Sequence, residues 1–86
     1  MHDLPLPRDR VIARRQAVGD HIRAVRQHAN LTQEQVSLRS GIGLASYNRI
    51  EQGHASPMLD SLIRIAHAIG VDLAELVRGH TEPPTT

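Results

Sequence analysis

Apolar residues recur at helical spacing in the first third of the chain. Val18, Ile22, Val25 and Ala29 are spaced four, three and four positions apart, which places them on one face of an α-helix. The pattern predicts a long first helix that begins near residue 8, with Asn30 as a left-handed residue at its end.

A second, shorter helix is indicated by the residues that would bound it. Thr32 and Gln35 have the spacing of a capping box, in which each side chain bonds the backbone N–H of the other residue. The helix that begins there is expected to stop at Gly41, because glycine adopts a positive φ at little cost.

Two further helices are predicted downstream. Gly43 and Gly53 bracket a third helix over residues 44–52. Ser56 followed by Pro57 is a cap and first-turn pair that should begin a fourth helix. The predicted buried face of this fourth helix consists of Leu59, Leu62, Ile63, Ala66 and Ile69, and Gly70 ends it.

A short fifth helix completes the predicted set, with Asp72 and Glu75 as its capping pair. Its apolar residues are Leu73, Leu76 and Val77. We therefore expect an all-α, compact five-helix bundle. One domain is predicted over residues 17–79, preceded by an N-terminal extension (1–16) that is irregular before the start of the first helix, and followed by a disordered tail (80–86).

Composition supports a helical bundle and narrows the chemistry. The chain has no Phe, no Trp and a single Tyr, so its core is aliphatic, which suits packed helices better than a sheet. It has no Cys, which excludes disulfides and thiolate metal sites. No apolar run is long enough to span a bilayer, and no signal peptide is evident. We expect a cytoplasmic protein that does not enter membranes.

Charge is unevenly distributed along the chain. Residues 1–49 contain eight Arg and four acidic residues, whereas residues 50–86 contain two Arg and five acidic residues. The net charge of +1 therefore understates the positive potential that one face can offer to phosphates. Ordinary surface charge explains the same distribution equally well.

The order and spacing of these motifs carry a family resemblance. From about Val18 to Leu76 the chain resembles the Xre/Cro-type helix-turn-helix domains of phage repressors and bacterial regulators. The resemblance implies a lambda-repressor-like fold with the helix-turn-helix at the second and third helices. The residues that carry it are Leu31-Thr32-Gln33-Glu34, Val36, Gly41-Ile42, Arg49-Ile50-Glu51, Gly53 and the segment from Ala66 to Val71.

The resemblance also implies which residues meet DNA. Thr32 and Gln33 begin the second helix, where free N–H groups and the helix dipole favour a phosphate. Asn48 is the best candidate for a base contact, since an asparagine amide can pair with adenine, and Arg49 either reads guanine or holds a phosphate. The full DNA-binding set is Thr32, Gln33, Gly43, Leu44, Ala45, Ser46, Asn48, Arg49 and Gln52.

Arg26 and Glu51 occupy positions where the family often has an ion pair between the first and third helices. We expect this pair to fix the recognition helix and to leave Arg26 near a phosphate. Two positions depart from the usual pattern. Ser37 replaces a small Ala, and Tyr47 replaces Ile or Val, so its ring is expected to be partly buried with the hydroxyl at the surface.

The tip of the recognition helix is apolar, where polar residues are common in the family. Leu44 and Ala45 either touch thymine methyl groups or form an apolar patch that meets protein. These alternatives bear on how much sequence specificity the helix has.

The remaining polar residues give no sign of a metal site or a catalytic site. His21 and His28 are seven positions apart and cannot share one metal ion as an i, i+4 pair can, so no metal or cofactor is expected. No catalytic arrangement is evident, and no enzyme is predicted. The N-terminal arginines form either an arm that reaches the minor groove or, as we favour, the solvated face of an extended first helix; they are Arg8, Arg10, Arg14 and Arg15.

The sequence thus predicts a transcriptional regulator, acting as a repressor, that binds the major groove of double-stranded DNA as a homodimer on a palindromic site. The dimer surface is expected either around Leu73 and Val77 or in the N-terminal extension. Two alternatives remain: an antitoxin that binds a toxin and its own promoter, and a protein-interaction module that keeps the fold without binding DNA.

Overall fold

Five α-helices make up the fold. The computed structural model describes residues 7–78 and has no β-strand within that range. The helices are α1 (Arg8–His28), α2 (Gln33–Ser40), α3 (Leu44–Glu51), α4 (Leu59–Ile69) and α5 (Leu73–Val77). The predicted all-α architecture of five helices is confirmed, and the predicted tail over residues 80–86 lies outside the described residues.

Local signals placed most helix ends correctly. The Thr32 hydroxyl accepts a bond from the N–H of Gln35 (3.0 Å), and the Gln35 side chain accepts one from the N–H of Thr32 (2.8 Å), which completes the predicted capping box. Gly41 has a left-handed φ of 76° and Asn30 has a φ of 59°, as expected for residues that end helices.

The start of α4 was predicted wrongly. Its N-cap is Met58 and its first residue is Leu59, so the Ser56-Pro57 pair belongs to the preceding loop and not to the first turn. Asp72 does occupy the N-cap of α5, but its side chain makes no capping hydrogen bond. The spacing of Asp72 and Glu75 therefore predicted the correct start of α5, but the capping hydrogen bond that it implies is not formed.

The core is formed by residues from all five helices, with α2 packed on α4, and α1 packed on both α3 and α5. The predicted buried face of α4 was only partly right, because Leu59 is 61% exposed and Ile63 is 48% exposed. Apolar residues occupy several faces of α4, so periodicity alone did not select the face that meets α2. The buried apolar residues are Ile22, Val36, Tyr47, Ile50, Ile65, Ala66, Ala68, Ile69 and Leu76.

Helices α1 and α3 approach at backbone contact. A Cβ built on Gly19 would lie 2.6 Å from the carbonyl oxygens of both Ile50 and Glu51. Glycine at this position is therefore a packing requirement, although it lowers the intrinsic helix propensity of α1. The contact seats the C-terminal end of α3 directly on α1.

The N-terminal half of α1 contacts the residues that follow α3. The arginines at positions 8, 10, 14 and 15 all lie within α1, which agrees with the favoured helical interpretation over a flexible arm. Arg15 is half-buried and its Nε donates to the carbonyl of Gly53 at 3.0 Å. Gly53 also abuts the backbone of Gln16.

Within residues 7–78, no helix has the length and apolar character needed to cross a membrane.

Candidate nucleic-acid interface

A short turn at residues 41–43 joins α2 to α3. The Ser37 hydroxyl donates to the carbonyl of Ile42 at 2.5 Å, and the N–H of Ile42 donates to the Ser40 hydroxyl at 3.2 Å. Ser37 therefore does more than fit where the family has alanine, because its hydroxyl satisfies a backbone carbonyl of the turn. These bonds fix the direction in which α3 leaves α2.

Helix α3 presents one face to the core and the other to solvent. Tyr47, Ile50 and Glu51 are buried, whereas Asn48 is half-buried. At the start of α2, Thr32 is exposed and Gln33 is half-buried. The other predicted DNA-binding residues are exposed: Gly43, Leu44, Ala45, Ser46, Arg49 and Gln52.

The expected ion pair between Arg26 and Glu51 is present beneath this outward face. Arg26 Nε lies 2.6 Å from Glu51 Oε2, and Nη2 lies 3.1 Å from Oε1. The two side chains are only 10% and 2% exposed. Arg26 Nη1 also donates to the carbonyl of Leu31 at 2.9 Å. The guanidinium of Arg26 is thus nearly buried, with each of its three nitrogens bonded within the protein, and its nearness to a phosphate stays a prediction.

Tyr47 completes the buried cluster, and its predicted position was wrong. The side chain is 0% exposed, and its hydroxyl donates to Glu51 Oε2 one helical turn away. A buried carboxylate gives the phenol a partner inside the protein, so the hydroxyl does not need the surface.

The cluster shifts the pKa of each of its three ionisable groups. Burial alone would raise the pKa of the Glu51 carboxyl, but hydrogen bonds from Arg26, Tyr47 and Gln33 outweigh burial and lower it below its ordinary value. The hydrogen bond to Glu51 raises the pKa of Arg26. Burial raises the pKa of Tyr47, and the hydrogen bond to Glu51 raises it further. Glu51 is thus a carboxylate and Tyr47 a neutral phenol at neutral pH.

Gln33 connects this cluster to the outward face of α3. Its Nε2 donates to Glu51 Oε1 at 2.9 Å and to Asn48 Oδ1 at 3.2 Å. The side chain that the resemblance placed against a phosphate is therefore engaged with α3. The N–H groups of Gln33 and Glu34 still have no intrahelical partner, whereas that of Gln35 is bonded to the Thr32 hydroxyl.

Sequence reasoning missed this link between Gln33 and Asn48. The two residues are 15 positions apart on different helices, and no periodic pattern relates them. A capping box and a helix-turn-helix spacing place both residues on their helices, but only the crossing of α2 and α3 brings the two amides together.

Arg49 has a different environment from Asn48. It is exposed, and its Nη2 donates to the carbonyl of His54 at 3.2 Å. This bond ties the end of α3 to the following loop. A cation held at the surface in this way can meet a phosphate or a guanine edge.

The geometry of α2 and α3 agrees with comparisons to known proteins. Residues 22–76 match the family described as Helix-turn-helix. The chain belongs to the helix-turn-helix family. The matched residues run from the middle of α1 into α5 and include the whole α2–α3 unit, so the family assignment covers the site described above.

Individual relatives of this helix-turn-helix protein are regulators by name. It is 36% identical over 70 residues to the uncharacterized HTH-type transcriptional regulator y4dJ of Sinorhizobium fredii, covering 81% of this chain and 91% of that protein. It is 37% identical over 51 residues to the cryptic phage CTXphi transcriptional repressor RstR of Vibrio cholerae serotype O1, covering 59% of this chain and 46% of the repressor. The chain therefore spans about half the length of that repressor.

A solved structure shares the fold. The restriction-modification controller protein C.AhdI from Aeromonas hydrophila superposes with a TM-score of 0.73 at 25% sequence identity. The superposition covers 74% of this chain and 97% of that protein. The five-helix arrangement is thus that of a known regulator fold.

Proposed function

We propose that this protein regulates transcription, as a repressor, by binding double-stranded DNA in a sequence-specific manner. The observation that carries the proposal is the outward face of α3, which is polar beyond its first turn and is fixed from beneath by the buried Arg26–Glu51 pair. A helix of this kind enters the major groove, and its rigidity lowers the entropy lost on binding.

Each part of the α2–α3 unit has a distinct role in the proposed complex. The start of α2 binds a phosphate at Gln33, whose backbone N–H has no intrahelical partner, beside the exposed Thr32, whose own N–H is bonded to Gln35. Asn48, Arg49 and the other polar residues of α3 lie along base edges or the flanking backbone. Leu44, at the tip of α3, supplies apolar contact to thymine methyl groups.

We further propose that two copies bind together. One recognition helix reads few base pairs, whereas two related by a two-fold axis would reach successive major grooves, about 34–36 Å apart. Leu59 and Ile63 are one turn apart and exposed on α4; we include them as a candidate dimer surface beside those around Leu73 and Val77 and in the N-terminal extension. Sedimentation with and without operator DNA measures the stoichiometry, and a strictly 1:1 complex would contradict this part.

The first experiment selects DNA from the source genome. Purified protein is incubated with sheared genomic DNA at moderate salt, and the retained fragments are sequenced. A shared palindrome is expected, with affinity for it falling steeply as salt rises because Arg–phosphate contacts release counterions. Arg49→Gln should reduce affinity and the salt slope, whereas Arg23→Gln, exposed on α1 and outside both α2–α3 and the candidate dimer surfaces, should change neither. A folded protein that retains no common sequence would overturn the proposal.

A second candidate function is favoured by the exposed apolar side chain of Leu44 at the tip of α3. In this case the same surface would bind a protein, such as a toxin in a toxin–antitoxin pair. Salt dependence separates the two candidates, because an apolar protein contact changes little between low and moderate salt. Leu44→Ser should abolish a protein complex, whereas on DNA it should alter preference at a thymine.

A further inference from the structure

Two arginines from different helices are bonded to the same short stretch of backbone. Arg15 of α1 donates from Nε to the carbonyl of Gly53 at 3.0 Å. Arg49 of α3 donates from Nη2 to the carbonyl of the next residue, His54, at 3.2 Å. We propose that Arg15 and Arg49 together bind one phosphate of the DNA backbone beside the C-terminal end of α3. This inference rests on the proposed function and adds a DNA-binding role for the N-terminal half of α1.

Packing at Gly53 places Arg15 at the end of α3. A Cβ built on Gly53 would lie 2.7 Å from both Cα and Cγ of Gln16, so α1 and the segment after α3 touch through their backbones. Gly53 is buried and has a φ of 74°, a conformation that is costly for most other residues. The position of Arg15, the neighbour of Gln16, therefore depends on this packing as well as on its own hydrogen bond.

Both guanidinium groups keep donors that the protein does not use. A guanidinium has five N–H donors, and each of these two arginines makes one side-chain hydrogen bond within residues 7–78. No buried side-chain nitrogen in that range lacks a partner, so Nη1 and Nη2 of the half-buried Arg15 reach solvent. Arg49 is exposed. The two side chains can therefore bind a ligand without giving up their bonds to the backbone.

The charges of these two arginines are not neutralised by the part of the chain that the structure describes. Neither Arg15 nor Arg49 forms an ion pair there. Glu51, the carboxylate of α3, is buried and paired with Arg26. Two cations held at one stretch of backbone repel each other, and an anion that binds both is attracted by both. Charge complementarity thus favours an anionic ligand at this place.

A phosphodiester of DNA fits such a pair of cations. Its oxygens accept charge-assisted hydrogen bonds, and the planar guanidinium of arginine binds phosphate through more than one N–H. Arg49 lies on the face of α3 that we propose enters the major groove, so groups beside its last turn meet the sugar–phosphate backbone that borders the groove. Arg15 precedes residues 22–76, which match the family. The second cation is therefore supplied by the part of α1 that lies before the matched residues.

The test locates this phosphate with the full-length protein and the palindromic site recovered from genomic DNA. A set of duplexes carries one uncharged methylphosphonate in place of each phosphate in turn, and fluorescence anisotropy measures the affinity for each duplex. Arg15→Gln and Arg49→Gln should each bind the unmodified site about tenfold more weakly, with a salt slope smaller by about one. Both variants should also respond less than the unsubstituted protein to methylphosphonate at the same phosphate of each half-site, and the double variant should not respond there.

Two controls separate phosphate binding from a purely structural role of Arg15. Arg23→Gln, exposed on α1, should keep the affinity and the methylphosphonate pattern of the unsubstituted protein. Arg15→Lys keeps the positive charge and should recover part of the response at the shared phosphate. Thermal unfolding verifies that each variant is folded at the assay temperature. Weaker folding or dimerisation would lower the affinity for every duplex alike, without removing the response at one phosphate.

The outcomes distinguish this inference from the proposed function. An Arg15→Gln variant that binds as tightly as the unsubstituted protein, or more weakly with an unchanged methylphosphonate pattern, would overturn the inference. Responses of Arg15→Gln and Arg49→Gln at two different phosphates would overturn it as well. In each of these cases the proposed function stands, whereas failure of the unsubstituted protein to enrich any DNA sequence would overturn both.

Discussion

Arg26 of α1 and Glu51 of α3 form a two-bond ion pair beneath the outward face of α3, with nitrogen–oxygen distances of 2.6 Å and 3.1 Å. The pair joins residues 25 positions apart and is enclosed by Tyr47 and Gln33. The Glu51 carboxylate lies on the candidate DNA-binding helix and is bonded to α1 through Arg26. A change that breaks this pair is therefore expected to affect both the stability of the fold and the position of α3.

Breaking this pair should be costly. Arg26→Met leaves a buried carboxylate without its cation, and we expect the free energy of unfolding to fall by about 3 kcal/mol, measured by urea denaturation at pH 7. The matched control is Asp20→Asn, which breaks an exposed ion pair with Arg23 and should cost less than about 1 kcal/mol. Equal losses in the two variants would contradict a structural role for the buried pair.

The lowered pKa of Glu51 predicts a particular acid response. A carboxyl whose pKa is lower in the folded state than in the unfolded state stabilises the fold above its unfolded pKa, about 4.3. That contribution is lost as pH falls through the folded value, which lies below the ordinary one. Glu51→Gln should therefore be less stable than the unsubstituted protein at pH 7, with the difference narrowing at pH 3. Urea midpoints at both pH values measure this, and a constant difference would argue against it.

Gly19 offers a test in which two effects have opposite signs. Alanine is favoured over glycine inside a helix by up to about 1 kcal/mol, so propensity alone predicts that Gly19→Ala stabilises the protein. The 2.6 Å approach of the added Cβ to the carbonyls of Ile50 and Glu51 predicts the reverse. We expect a loss of about 1–3 kcal/mol and weaker DNA binding, since α3 must move. A rise in melting temperature would show that α1 and α3 are not in backbone contact.

Arg15 tests where the folded domain begins, which stays a prediction. Its bond to the Gly53 carbonyl lies before residue 17, the start expected from the sequence. Arg15→Met should lower the free energy of unfolding by about 1 kcal/mol, whereas Arg10→Met, at an exposed position of α1, should change it by less than about 0.5 kcal/mol. If both variants match the unsubstituted protein, the contact between Arg15 and Gly53 adds nothing to stability.

The sequence by itself determined the five helices and most of their ends. The capping box at Thr32 and Gln35 and the left-handed residues at Asn30 and Gly41 act through bonds and dihedral angles within a few positions. Such signals do not depend on the rest of the fold. The family resemblance added the Arg26–Glu51 pair, which local rules do not predict.

Tertiary structure decided which faces are buried and which polar groups meet. Apolar residues lie on several sides of α4, so only its packing against α2 determines which side is buried. Tyr47 is completely buried because Glu51 accepts the hydrogen bond of its hydroxyl. The Gln33 side chain bonds Glu51, 18 positions away, a contact that the sequence did not predict. The physical reason is that burial and hydrogen bonding between helices depend on how the helices cross, and the crossing is set by contacts between residues distant in sequence.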